Sequence, residues 1–286
     1  VAASTPLVVL VVLIAAVLHA GWNAIAKAMS DGFSLFTRMS VAVVVIGFAL
    51  VWLVDPPHQD SWPWLAASAA VHVAYMMGLL VAYRLGDFNQ TYPLARGLGP
   101  MVVAIVAATL IDEPLALLPA LGVVIIGAAI AVLGLTPWRR IRHNRAAIAA
   151  AVLTGLTIAT YTLLDGIGVR NSGSAARYTI WLLTAHSAGF VITVKLLRHS
   201  RWIPAESPKP TPWLAATGTA IMSMLAYGLV LWAQTKGTLA AVAALRESSV
   251  VVAALLGAVL FREPMGRIRV GASVAVAVGV VLLALG

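Results

Sequence analysis

Two arginines, Arg96 and Arg246, stand well inside long apolar runs. A guanidinium there can grip a carboxylate or phosphate through two parallel hydrogen bonds. Arg38 and Arg177 lie nearer the starts of such runs, where a long side chain can also reach the membrane interface. Two acids, Asp165 and Glu247, and three histidines, His19, His72 and His186, are the candidate proton carriers. The histidines equally suit hydrogen bonding between helices, and their spacing matches no metal-ligand pattern, so neither a metal nor a cofactor is expected. Trp22, Tyr75, Tyr92, Tyr161 and Tyr178 are placed to line a cavity or stack on a cation, and Asn23 supplies an amide that is costly to turn toward lipid. An ionisable side chain at membrane depth costs at least about 2.5–3.5 kcal/mol on insertion scales, so each is a candidate for function unless it snorkels.

The elements that hold these residues are membrane helices. Of 286 residues, 61% are apolar and 10% charged, with a mean hydropathy of +0.97. A soluble domain is about 45–50% apolar and about 25% charged. Soluble enzymes and nucleic-acid binders are thereby excluded. The formal net charge of +9 does not bring nucleic acid back as a partner, because the basic residues sit between apolar runs and form no single stripe. The absence of cysteine removes disulfides, thiol nucleophiles and thiolate metal sites.

A spanning helix needs about 20 mostly apolar residues. Ten runs qualify: Leu7 to Ala28, Phe33 to Val54, Trp64 to Tyr83, Phe88 to Ile111, Leu117 to Leu135, Ala146 to Val169, Ala176 to Leu197, Trp213 to Ala233, Leu239 to Phe261, and Ile268 to Leu285. The first lacks a preceding basic region and reads as a spanning helix, not a cleaved signal. The longest link, His199 to Pro212, is proline-rich, and no segment outside the runs is long enough for a catalytic ectodomain.

The chain also repeats itself. A shift of 150 residues places Arg96 on Arg246 and Glu113-Pro114 on Glu263-Pro264, with seven identities between Leu94 and Pro114 and no gap. A shift of 139 places Arg38 on Arg177 and Trp22 on Tyr161, and the longer link after helix seven absorbs the difference. Residues 1–138 and 146–286 thus read as two five-helix repeats around the basic link 139–145. Because five is odd, the second copy runs in the opposite sense, an inverted-topology repeat around a central cavity.

Within helix four, Tyr92 to Pro100 contains Pro93, Gly97, Gly99 and Pro100, which predicts a loosened helix beside Arg96. The equivalent stretch of helix nine has no proline or glycine. There Arg246 and Glu247 are adjacent, and neighbours on a helix point apart, so separate partners are expected. With Arg96 and Arg246 set aside, fourteen Lys and Arg gather in the links on one side and three on the other. The richer side is cytoplasmic by the positive-inside rule, which puts both termini outside.

Ten short-looped helices in two repeats, an arginine in helices four and nine and the Glu-Pro turns after them resemble the EamA-type transporters of the drug/metabolite transporter superfamily. Leu18-His19-Ala20-Gly21-Trp22-Asn23 and Phe36-Thr37-Arg38 are similar to a bacterial branch of that family. The resemblance implies a basket of helices around a substrate cavity and export of amino acids, other metabolites or toxic compounds across a bacterial inner membrane. It also implies termini in the cytoplasm, opposite to the charge count.

The residues themselves favour a small zwitterion or organic anion, with amino acids first, and with protons as the coupling ion. The aromatics and acids keep a lipophilic or quaternary cation as the alternative. A membrane enzyme would need a clustered nucleophile or metal site, and a purely structural protein gives no reason for deep arginines. The partners expected are the bilayer, a small substrate and protons, in a chain that can act as a monomer. The orientation is testable: a cysteine placed at Asn144 is expected to resist an impermeant thiol reagent in intact cells, whereas ready labelling would put the basic link outside.

Overall fold

The computed structural model describes residues 6–29, 31–85, 88–135, 145–199, 210–262 and 266–285. Its elements are α1 (Pro6–Ala28), α2 (Gly32–Val51), α3 (Trp62–Leu85), α4 (Phe88–Leu110), α5 (Leu117–Leu135), α6 (Arg145–Arg170), α7 (Ala175–His199), α8 (Trp213–Gln234), α9 (Leu239–Arg246), α10 (Ser249–Phe261) and α11 (Arg267–Leu285). A short 3-10 helix, Gln59–Ser61, precedes α3. No strand occurs among the described residues.

Helices occupy all ten apolar runs because a chain in hydrocarbon must satisfy its own backbone. Seven stretches are long and apolar enough to cross a membrane, and Arg96–Leu110 and Leu117–Leu133 are shorter apolar helices, among the described residues. Local chemistry sets the ends. Asp31 caps α2 by accepting from the Ser34 N–H at 3.0 Å. Hydroxyls inside the helices bond back to their own backbone, as Thr162 does to the Ile158 carbonyl at 2.7 Å and Thr219 to that of Ala215 at 2.7 Å. Large apolar side chains such as Phe48, Ile105 and Leu214 point outward, while Arg96, Asp165 and Glu247 are buried. That is the reverse of a soluble protein.

α1 packs on α8 and α10, α2 on α7 and α8, α3 on α6 and α7, α4 on α5, α6 and α9, and α5 on α11. Lipid gives helices no hydrophobic reason to associate, so close approach of small residues does the work. A Cβ added at Gly122 of α5 would lie 2.8 Å from the Gly279 carbonyl oxygen of α11, and one at Gly279 would lie 2.9 Å from that of Gly122.

Two expectations are corrected. α4 is a continuous helix through Pro93 and Pro100. Gly97 does not loosen it; the missing side chain lets α4 meet α5, where a Cβ would stand 2.9 Å from the Ala131 nitrogen. The break lies instead in the ninth run, between α9 and α10, where Glu247 N–H donates to the Ala244 carbonyl at 3.0 Å and Ser248 N–H to that of Leu245 at 3.1 Å. These are the tighter bonds of a 3-10 turn. Two serines follow, and serine competes for backbone groups and favours such turns.

The α5–α11 contact has a direct check. Gly122→Val or Gly279→Val is expected to lower stability by about 1–3 kcal/mol, the usual range for overpacking, read as a lower melting temperature in detergent. Gly218→Ala, at a helical position with nothing within 4 Å of an added Cβ, is the control and should not lower it.

Candidate functional site

Between the helices lies a cavity of about 120 Å³. One water needs roughly 10–15 Å³ on that measure, so the space fits a small organic molecule. α1 contributes His19 and Trp22, α3 His72 and Tyr75, α4 Arg96, α6 Tyr161, α7 His186, α8 Tyr227 and α9 Arg246. Of the pairs that the two sequence shifts align, Arg96 with Arg246 and Trp22 with Tyr161 line the same space, and Arg38 with Arg177 do not.

The two arginines are held differently. Arg96 donates to Glu247 through Nε to Oε2 at 2.7 Å and through Nη2 to Oε1 at 3.1 Å. Its Nη1 meets His19 Nε2, and Nη2 lies 3.4 Å from Ser249 Oγ. Glu247 is fully buried, so the carboxylate of this bidentate pair has no exposed surface, while Arg96 also lines the cavity. Arg246 Nε stands 3.5 Å from Glu247 Oε1, an ion-pair contact that makes no hydrogen bond, and that nitrogen has no hydrogen-bond partner among the described residues. The expectation of separate partners for Arg246 and Glu247 is therefore corrected. Glu247 sits at the helix break, where the angular rule for helix neighbours no longer applies, and both guanidinium groups converge on it.

Aromatic rings build the walls. His72 stacks on Tyr161 with centroids 4.0 Å apart and on His186 at 4.8 Å. Tyr75 meets Tyr161 edge-on at 5.4 Å, and Trp22 meets His19 at 4.9 Å and Phe36 at 6.4 Å. Met39, Met76 and Leu183 are among the apolar lining. Behind the wall, Asp165 is fully buried and accepts from Tyr178 Oη at 3.2 Å, while the Tyr227 hydroxyl meets its other oxygen.

Other candidates fall elsewhere. Arg38 donates to the Thr211 carbonyl at 2.9 Å and lies over the Trp213 ring at 4.9 Å. Arg177 pairs with Asp55 at 2.6 Å where both are well exposed. Asn23 donates to the His19 carbonyl at 2.7 Å, and Tyr178 is spent on Asp165; neither lines the cavity. The Tyr92 side chain and Glu263-Pro264 lie outside the described residues. Phe36, Met39, Met76 and Ser223 were not singled out from sequence, because nothing in their type sets them apart from lipid-facing or packing residues. Tyr227 was visible as an aromatic, but not its bond to Asp165.

A second polar cluster closes one end of the bundle. Arg170, at the end of α6, donates through Nε to the Gln234 carbonyl and through Nη2 to that of Gly237, both at 2.8 Å, and through Nη1 to Glu113. The other Glu113 oxygen accepts from Leu239 N–H, the first of α9, at 3.1 Å.

Apolar helices enclosing a polar, aromatic cavity with paired charges at depth define a membrane transport protein more readily than any soluble class. The second half of the chain, residues 145–285, matches the EamA-like transporter family. The chain belongs to the EamA-type transporters of the drug/metabolite transporter superfamily and is an integral membrane protein. The fold agrees with a solved structure titled only as the crystal structure of a protein, at TM-score 0.76 and 18% identity, with 97% of each chain covered. No curated protein matches the chain.

The unequal support of the arginines predicts unequal costs. Arg96→Ala leaves the Glu247 carboxylate buried without its fork and is expected to cost about 3–5 kcal/mol. Arg246→Ala removes a group without a hydrogen bond at Nε and should lower the melting temperature much less. Equal losses in thermal unfolding would refute this division of roles.

Proposed function

We propose that the chain is a secondary active exporter that moves a small zwitterion or organic anion, with amino acids the leading class, by alternating access in a bacterial inner membrane. One observation carries the reading: Arg96 is already occupied by Glu247, whereas Arg246 faces the same cavity without a hydrogen bond at Nε. Arg246 therefore holds the anionic group of the substrate, and the rings of Trp22, Tyr75, Tyr161 and Tyr227 hold the remainder. Arg96 and Glu247 fix the site in place.

The proposal includes two inverted five-helix repeats, residues 1–138 and 146–286, joined by the basic link, with ten spans counting α9 and α10 as one. The helix contacts favour it, because they come in exchangeable pairs. α3 on α6 is matched by α8 on α1, α4 on α6 by α9 and α10 on α1, and α3 on α7 by α8 on α2. Rocking of one repeat against the other would then expose the cavity to each side in turn. The aromatic walls favour the second reading, export of lipophilic or quaternary cations.

A thermal-shift series separates the two. Amino acids, organic acids and phosphonates are expected to raise the melting temperature, since a ligand of the native state at one hundred times its Kd adds about 2.7 kcal/mol. Arg246→Ala should remove that response and Arg246→Lys keep part of it, because an ammonium retains charge without the fork. A response to ammonium compounds alone, unaffected at Arg246, would replace the anion reading with the cation one. Uptake or export in sealed vesicles then tests transport itself.

A further inference from the structure

We propose that Asp165 is a proton-binding site, reached from the cavity past the hydroxyl of Tyr227. Asp165 is fully buried in α6, and its oxygens are engaged by hydroxyls from three other helices, Tyr178 of α7, Tyr227 of α8 and Ser68 of α3. No ion pair reaches it among the described residues, in contrast to Glu247, whose charge is met by Arg96. A buried carboxylate without a cation on its oxygens is strongly disfavoured, and taking up a proton removes the charge. Tyrosine suits such a proton, because its hydroxyl both donates and accepts and can bond either form of the carboxyl group.

Position gives the proton a route. Tyr227 belongs to the cavity wall and stands edge-on to His72 with centroids 5.6 Å apart. Behind it, Asp165 is five residues from the Arg170 end of its helix. Tyr227 thus separates the cavity from a buried acid. On release the proton leaves the carboxyl oxygen for cavity water, and the carboxylate that remains accepts from both phenols. The titratable groups around this site are His72 from α3, Tyr161 on α6 itself, Tyr178 from α7 and Tyr227 from α8. The charged groups are Arg246 from α9 and Arg96 from α4, the latter neutralised by Glu247. Both cations lie across the cavity wall and make no ion pair with Asp165 among the described residues. Use of this proton to drive transport rests on the proposed function, but its presence on Asp165 does not.

Infrared spectroscopy of the purified protein without substrate reads the proton itself. At neutral pH a protonated-carboxyl carbonyl band is expected that shifts when the aspartates carry 13C and moves again in D2O. Asp165→Asn should lose it, and Tyr227→Phe should keep it at a displaced frequency. If Asp165→Asn fails to fold, the labelled wild-type protein still reads the proton, because Asp165 is the one buried aspartate among the described residues. Absence of an aspartate-dependent band, or its persistence in Asp165→Asn, overturns the proposal. A band that does not respond to D2O overturns access from the cavity. None of these outcomes depends on an anion binding at Arg246, and a failed thermal-shift series would leave the infrared result intact.

Discussion

A charge that enters hydrocarbon must find its opposite inside the protein, and in this chain the demand is met at Glu247. Its carboxylate has no exposed surface and is gripped by Arg96, which lies 151 residues earlier. Desolvating two such ions costs several kcal/mol each, and only good geometry with additional hydrogen bonds repays it. Here the fork is bidentate, His19 meets the remaining guanidinium nitrogen, and Ser249 shares Nη2 with Glu247. The pair ties α4 to the junction of α9 and α10 and brings α1 in through His19. It sits at the break in the ninth run and leaves Arg246 turned to the same space. Most of what is polar at the centre of the molecule is arranged around that one bond.

The remainder of the assembly follows from what lipid withholds. Without a hydrophobic drive between helices, contact depends on small residues and hidden polar groups. Gly97 against α5 and Gly122 against Gly279 bring backbones together, while serines and threonines turn their hydroxyls back on their own helices. The large aromatics are then free for the cavity. His72, Tyr161 and Tyr227 join three helices through ring contacts, which give the walls their shape.

Depth is legible in this sequence and direction is not. Apolar runs locate the helices, and the cost of charge in lipid marks Arg96, Arg246 and the three histidines as residues that converge on one interior space. Arg38 and Arg177 look similar by type but sit at helix ends, where Thr211 and Asp55 satisfy them. Which way a side chain points around its axis is hard to read where nearly every face is apolar, so Phe36, Met39 and the link between Tyr227 and Asp165 went unseen. The glycines of helix four are ambiguous in sequence because glycine serves both flexibility and close packing, and only the neighbouring helices, α5 at Gly97 and α6 at Gly99, decide between them. The break beside Glu247 carries no proline or glycine. Its local mark is Ser248 and Ser249, a weaker signal than either, and the partner that Glu247 meets there lies on another helix.

The cluster around Arg170 differs from the central pair in one physical respect. Arg170 keeps 30% of its side chain exposed and Glu113 15%, whereas Arg96 keeps 6% and Glu247 none. Mobile ions screen charges in contact with water over about 8 Å at physiological ionic strength and hardly touch buried ones. The bundle is therefore fastened at its end by a bond whose strength belongs partly to the surrounding electrolyte, and at its middle by one that does not. Dissolved salt can loosen the rim of such a protein while leaving its centre untouched.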